Sequence, residues 1–222
     1  MKQSVRRLVL TGESDDVRLA PRSSLLIRGA GFPVADREVS IVDPDSPIKL
    51  TKLRDLIRDI ADFPKPGVGF KDITPLLRDQ AGLSLAIEYL TQPFRAVHVD
   101  VVASAESRGF IFGTAVARNL SAGFVPIRKP GKLPGATRSE VYALEYGTDT
   151  LEIHADAVRA GDRVLLVDDV LATGGTMQAS CRLVESLGGE VVGVAFLIEL
   201  SFLKGREKLR GYPIHSILKY EH

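Results

Sequence analysis

A single cysteine, Cys181, stands among 222 residues, so no internal disulfide can staple the chain, and a reducing compartment suits it. It falls on an apolar helical stretch and reads as core packing rather than as a nucleophile. The four histidines, at positions 98, 154, 215 and 222, show no metal-ligand spacing, and no metal ligands are assigned. Charge of either sign is not in excess, with 29 Lys and Arg against 28 Asp and Glu. That excludes an overall basic field for nucleic acid or an anionic membrane, and any anion site must be local. No window approaches about 18 continuous apolar residues, and the apolar stretch after Arg6 and Arg7 is too brief for a signal sequence. A cytoplasmic protein that neither spans nor crosses a membrane is expected.

What is present is 45% apolar and 26% charged, enough for a sizeable core in one large domain, with or without an appendage. Residues 1–48 scatter Gly, Pro, Ser and Asp through short apolar pieces, with no sustained period. Their seven basic and seven acidic side chains cancel, unlike a DNA-gripping arm. They are taken as an N-terminal extension, and residues 49–222 as the functional domain. Leu50, Leu53, Leu56, Ile57 and Ile60 fall on one stripe, which predicts a helix ending before Pro64. The stretch FPKPGVGFKDITPLL, broken by Pro64, Pro66, Gly67 and Gly69, reads as a shaped loop rather than a helix or strand. A helix is expected over roughly 81–92, strands within VHVDVVASA, GFVPIRK, DRVLLVDD and EVVGVAFLIEL, and helices near 109–121 and 175–188. Such alternation predicts an α/β fold, a parallel sheet with helices on both faces and ligands at the carboxyl ends of its strands.

VLLVDDVLATGGT carries the chemistry. Asp168 and Asp169 emerge at the end of a buried strand, and Ala172 to Thr176 turn the chain into a helix. Backbone N–H groups of that turn form an anion cup, Gly174 and Gly175 permit close approach, and Thr173 and Thr176 add hydroxyl donors. Two carboxylates beside a phosphate make sense when a neutral diol lies between them. A ribose 5-phosphate meets that need, its 2- and 3-hydroxyls on the aspartates and its phosphate in the turn. No Lys follows the glycines, so this is not a Walker loop. A capped strand end and an ordinary turn account for either half alone, but less readily for the combination.

The stretch resembles the phosphoribosyl-diphosphate (PRPP) motif of type I phosphoribosyltransferases. That resemblance implies a doubly wound, mostly parallel sheet with flanking helices, a small hood and a flexible catalytic loop. ASAESRGFIFG, 103–113, resembles the pyrophosphate loop of the family, with Ser107 and Arg108 near the diphosphate and a cis non-proline peptide around Glu106 and Ser107. A plain strand-to-helix turn is the bland alternative. IRKPGKLPGATRSEVYALEYG, 127–147, carries Arg128, Lys129, Lys132 and Arg138 among Gly and Pro, as a long, exposed, mobile loop would. It is similar to the catalytic lid of adenine phosphoribosyltransferases, which implies that Arg128, Lys129 and Lys132 neutralise pyrophosphate. It also implies that Glu145 approaches N7 of the purine as N9 attacks, with Tyr146 beside it. Without the resemblance, Glu145 is an ordinary surface ion-pair partner.

FPKPGVGFKDITPLL resembles the adenine hood of the same family, with Phe70 stacking on the base and the backbone of Gly69 and Lys71 reading its edge. The family commonly has Arg where this chain has Lys71, and a bulkier aliphatic residue where it has Gly69. KGREKL, 204–209, and the closing SILKYEH also look like the family's C-terminal end, so the resemblance covers about 49–222. It implies transfer of a phosphoribosyl group from PRPP to adenine, giving AMP and pyrophosphate in purine salvage. Glu145, Arg108 and Lys132 are then catalytic. Mg²⁺ is bound mainly through PRPP and pyrophosphate, with Asp168 touching it through water, and a homodimer is implied. Two alternatives stay open: a transferase for xanthine, hypoxanthine or guanine, which a base panel distinguishes, and a PRPP-sensing regulator, which needs a basic winged-helix N-terminus unlike residues 1–48.

Overall fold

Apolar β-branched runs separated by amphipathic stretches give the chain its order of elements. The computed structural model describes residues 47–63, 65–143 and 147–222. Helix α1 (Pro47–Asp55) leads to a small antiparallel pair, β1 (Arg58–Ile60) and β2 (Phe70–Asp72), followed by α2 (Thr74–Arg78) and α3 (Gln80–Thr91). Next come β3 (Val101–Ala105), α4 (Gly109–Leu120), β4 (Gly123–Ile127), and a hairpin of β5 (Thr137–Ala143) and β6 (Thr148–His154). Strand β7 (Arg163–Leu171), α5 (Gly175–Ser186), β8 (Glu190–Leu200), two 3-10 turns at Ser201–Leu203 and Gly205–Leu209, and β9 (Ile214–Tyr220) complete it.

The five longer-range strands form one parallel sheet in the order β4-β3-β7-β8-β9. Its central strands are apolar on both sides because both faces are covered. On one face Leu165, Val167, Ala195 and Leu197 pack with Leu53, Leu90, Phe112 and Val116 from the helices α1, α3 and α4. On the other, Val164, Leu166, Val194 and Phe196 pack with Met177, Cys181 and Val184 of α5 and with Leu151 and Ile153 of the hairpin. Fully burying a side chain such as Phe112 or Phe196 contributes about 1.5–3 kcal/mol. From the β3/β7 junction the chain moves toward β4 on one side and toward β8 and β9 on the other. A crevice forms where such crossovers diverge, at the carboxyl ends of the strands.

The structure corrects several sequence expectations. The first helix stops at Asp55 rather than continuing toward Pro64: the N–H groups of Leu56 and Ile57 bond back to Leu53 and Arg54 carbonyls, and Ile60 lies in β1. FPKPGVGFKDITPLL is more than a loop, since Phe70 pairs with Ile60 in the β1–β2 ladder and Pro75 sits in the first turn of α2. Proline is tolerated there because its missing N–H would have had no partner. The expected lid, 127–147, contains β5, which pairs with β6 beyond it as a hairpin of seven residues per strand, with Thr137 opposite His154 and Ala143 opposite Thr148. Strand β3 begins at Val101, and β7 runs to Leu171, so Asp168 and Asp169 lie inside the strand rather than beyond its end. The expected extension, 1–48, lies outside the described residues except for its last two positions. Among the described residues no helix is long and apolar enough to cross a membrane.

Candidate active site

A cleft of about 220 Å³ opens at the carboxyl ends of β3 and β7, lined by residues 106–108 and 168–177. Ser107, Arg108, Asp168, Asp169 and Ala172 to Thr176 therefore come together. Close approach of α4 to β7 makes this possible: a Cβ at Gly109 would lie 2.8 Å from Asp168 Oδ1 and 3.3 Å from the Val167 carbonyl. Gly174 precedes α5 with φ 79°, a left-handed conformation that glycine adopts without steric cost. Its helix has no side-chain cap, so the first N–H groups of α5 face the cleft as donors for an anion.

The acidic pair is uneven in its partners. Asp169 is 4% exposed, and its Oδ2 lies 2.9 Å from Arg108 Nε. Asp168 is half-buried, and its Oδ1 accepts from the Asp169 N–H at 2.9 Å. Burial pushes the Asp168 carboxyl well above its ordinary value, and the neighbouring Asp169 charge adds to it. Burial also raises Asp169, while the Arg108 guanidinium pulls it back. Carboxylates so placed are strong acceptors for hydroxyl donors, and perturbed groups in a cleft are a mark of function.

The peptide between Glu106 and Ser107 is cis, as the resemblance implied. Glu106 accepts from Arg128 Nε at 2.9 Å and from the Lys129 N–H at 3.1 Å, tying the segment after β4 to the turn after β3. Lys129 Nζ lies 3.1 Å from Asp149 Oδ2, which also accepts from the Tyr142 hydroxyl at 3.3 Å. The hydrogen bond to Asp149 raises Lys129 above the ordinary lysine value. Burial alone would raise Asp149, but the Thr150 N–H and the Lys129 ammonium hold it below its ordinary value. Lys132 is exposed, and its carbonyl accepts from Arg128 Nη1 at 3.4 Å. Arg128, Lys129 and Lys132 thus stand beside the cleft without lining it. Glu145 and Tyr146 lie outside the described residues.

Phe70 reaches the same site, its ring 5.1 Å from the Arg108 guanidinium and edge-on to Phe63 at 5.0 Å. Side chains alternate along a strand, and Lys71 turns away, pairing with Asp59 and lying 4.0 Å from the Tyr220 ring. Its side chain is thus committed away from the Asp168–Asp169 cleft. No atom lies within 4 Å of a Cβ built at Gly69, so lack of space does not demand glycine there. A second cleft of about 320 Å³ beside the β1–β2 pair brings Gly69 and Lys71 together with Leu200 and Phe202. The sequence pattern passed over Leu200, because the last residue of an apolar strand looks like any other core position.

Residues 73–216 match the family model for the phosphoribosyl transferase domain. The adenine phosphoribosyltransferase of Methylococcus capsulatus is 59% identical over 171 residues, which take in 77% of this chain and 100% of that protein. The crystal structure of the adenine phosphoribosyltransferase from Thermoanaerobacter pseudethanolicus superposes with a TM-score of 0.76 at 55% identity, covering 77% of this chain and 99% of that one. The Saccharomyces cerevisiae enzyme, complexed with adenine and an imino-altritol 1,6-bisphosphate, gives a TM-score of 0.73 at 39% identity over 77% of this chain and 99% of that one. With an acidic pair set before a glycine turn and a hood phenylalanine meeting the same cleft, the chain belongs to the adenine phosphoribosyltransferase family.

Proposed function

We propose that the protein transfers the phosphoribosyl group of PRPP to adenine, forming AMP and pyrophosphate. The observation that carries this most directly is the convergence of Asp168, Asp169 and the 172–176 turn on one cleft, with Phe70 against Arg108 at its edge. Adenine N9 attacks C1 of the ribose while pyrophosphate departs from the opposite face, and the centre inverts. Positive charge develops on the sugar ring and needs no protein nucleophile. Catalysis then rests on alignment and on stabilising the departing diphosphate.

Each role follows from chemistry at a named atom. Asp168 and Asp169 accept from the 2- and 3-hydroxyls, and the N–H groups of Ala172 to Thr176 with the Thr173 and Thr176 hydroxyls hold the 5-phosphate. Ser107 and Arg108 donate to the diphosphate, and Arg128, Lys129 and Lys132 close over it once the first two exchange Glu106 and Asp149 for phosphate oxygens. Phe70 stacks on the base, the main chain of Gly69 and Lys71 reads its edge, and Glu145, with Tyr146 beside it, serves N7. The donor set suits a cation carried in by the substrate: of the three carboxylates lining the cleft, Asp169 is already paired with Arg108 and Glu106 with Arg128. Mg²⁺ prefers phosphate oxygens and retained waters, and it would neutralise the diphosphate, with Asp168 touching it through water. A cytoplasmic homodimer completes the proposal on resemblance. The test is a panel of adenine, hypoxanthine, guanine and xanthine with PRPP and Mg²⁺. AMP formation should dominate, and a faster rate with another base would overturn the assignment.

A further inference from the structure

Behind the phosphate turn runs the segment 204–209, which no step of the mechanism uses. Its backbone lies against the turn: a Cβ at Gly205 would run into the Ala172 carbonyl, and a Cβ at Gly174 would run into the Gly205 carbonyl. Gln178, in the first turns of α5, donates from Nε2 to the Lys208 carbonyl at 3.0 Å, and Leu209 is fully buried in the second core. Lys204, with φ 54°, turns the chain sharply into this segment.

One ion pair, buried at its carboxylate end, fastens the assembly. Glu199 is 4% exposed at the end of β8, opposite Leu171 at the end of β7. Arg206 donates to both its oxygens, Nε to Oε1 at 2.6 Å and Nη2 to Oε2 at 2.8 Å, and Nη2 also reaches Ser216 Oγ at 3.4 Å. Burial alone would raise the Glu199 carboxyl, but the Arg206 guanidinium and the Ser216 hydroxyl overcome it and hold it below the ordinary value. A bidentate fork fixes orientation as well as distance. Nε and Nη2 of Arg206 are thus committed to Glu199 and Ser216, and Arg206 does not line the cleft.

We infer that Arg206 is a positioning residue: through Glu199 it clamps Gly205 against the 172–176 turn and holds the N–H groups of that turn at the spacing the 5-phosphate requires. This rests on the proposed assignment of the turn to PRPP. Misplacing a binding group by about 1 Å costs on the order of a hundredfold, so partial loosening should register in the KM for PRPP.

The experiment compares wild type with Arg206→Lys, Arg206→Gln and the double variant Glu199→Leu/Arg206→Leu. Removing both partners leaves no unpaired carboxylate buried at position 199, so the double variant separates a folding role from a positioning role. The expected result is a roughly tenfold or greater rise in the KM for PRPP in Arg206→Gln and in the double variant. The KM for adenine should stay near wild type, Arg206→Lys should recover part of the loss, and amide exchange at residues 172–176 of the ligand-free protein should quicken. An unchanged KM for PRPP in the folded double variant, or equal rises for PRPP and adenine, overturns the clamp alone. A wild-type protein that makes no use of PRPP overturns the functional assignment, and the clamp with it.

Discussion

The carboxyl of Asp168 is held above its ordinary value by burial and by the Asp169 charge beside it, so keeping it ionised at neutral pH costs the fold stability. A raised carboxyl contributes fully below its unfolded value, and that contribution is lost as pH rises through the folded one. Asp168→Asn removes the loss while its oxygen still accepts the Asp169 N–H. The substitution should therefore raise Tm at neutral pH, by about 2–4 °C for each ~1 kcal/mol in a chain of this size. The gain should shrink in mildly acid buffer, while the KM for PRPP rises because an amide donor now faces a sugar hydroxyl. Scanning fluorimetry across pH checks the first part, and a lowered Tm at neutral pH contradicts it. Lys71 gives the opposite case: its side chain serves Asp59 and Tyr220 rather than the cleft. Lys71→Arg should keep both contacts and leave the KM for adenine within about twofold, whereas Tyr220→Ala should raise it, since a cation–π contact to a lysine side chain only 16% exposed contributes about 0.5–2 kcal/mol. Asp168, Asp169 and the glycine turn were legible because they are consecutive and each type has a distinct chemistry. The engagement of Arg108 with Asp169 and Phe70 was not legible, because these residues meet only through sheet order.

In the proposed mechanism Glu106 and Asp149 compete with the diphosphate for Arg128 and Lys129, and they differ in where they stand. Glu106, which holds Arg128, lines the cleft, whereas Asp149, which holds Lys129, belongs to β6 of the hairpin. Arg128 needs only to exchange one cleft-side oxygen for another, while Lys129 must leave its hairpin partner. Arg128→Ala should accordingly cost more than Lys129→Ala in the KM for pyrophosphate in the reverse direction. A charge-assisted hydrogen bond of about 1.5–3 kcal/mol corresponds to roughly ten- to a hundredfold for Arg128. An exposed pair of at most about 1 kcal/mol corresponds to less than about fivefold for Lys129. Initial rates of PRPP formation from AMP and pyrophosphate give the ranking, and the reverse order would refute it. The hairpin itself was hidden in the sequence by its glycines and prolines, which cluster in residues 130–135 before β5 begins at Thr137. The three-residue strands β1 and β2 are shorter than any period can reveal, so their stretch looked like helix on one side and loop on the other.

The parallel sheet was legible from its apolar runs, since a strand covered on both faces has little room for polar residues. Its order was not, because β9 takes an edge place with the mixed sequence IHSILKY and pairs only with β8. That order places the cleft between β3, whose chain continues to β4, and β7, whose chain continues to β8, so a ligand filling it would contact both halves of the sheet. A ligand that binds only the folded state stabilises all of it by RT ln(1 + [L]/Kd), about 2.7 kcal/mol at a hundredfold excess over Kd. PRPP with Mg²⁺ at that excess should raise Tm by roughly 5–10 °C in a chain of this size. The double variant Asp168→Asn/Asp169→Asn keeps the glycine turn but loses the acceptors for the sugar hydroxyls, so it should show only a fraction of that rise. Inorganic phosphate, which engages anion donors but brings no diol for the carboxylates, should give wild type and double variant the same small shift. If PRPP raised Tm equally in both proteins, the diol would not be held by these carboxylates, and the placement of the ribose across the two halves of the sheet would fail.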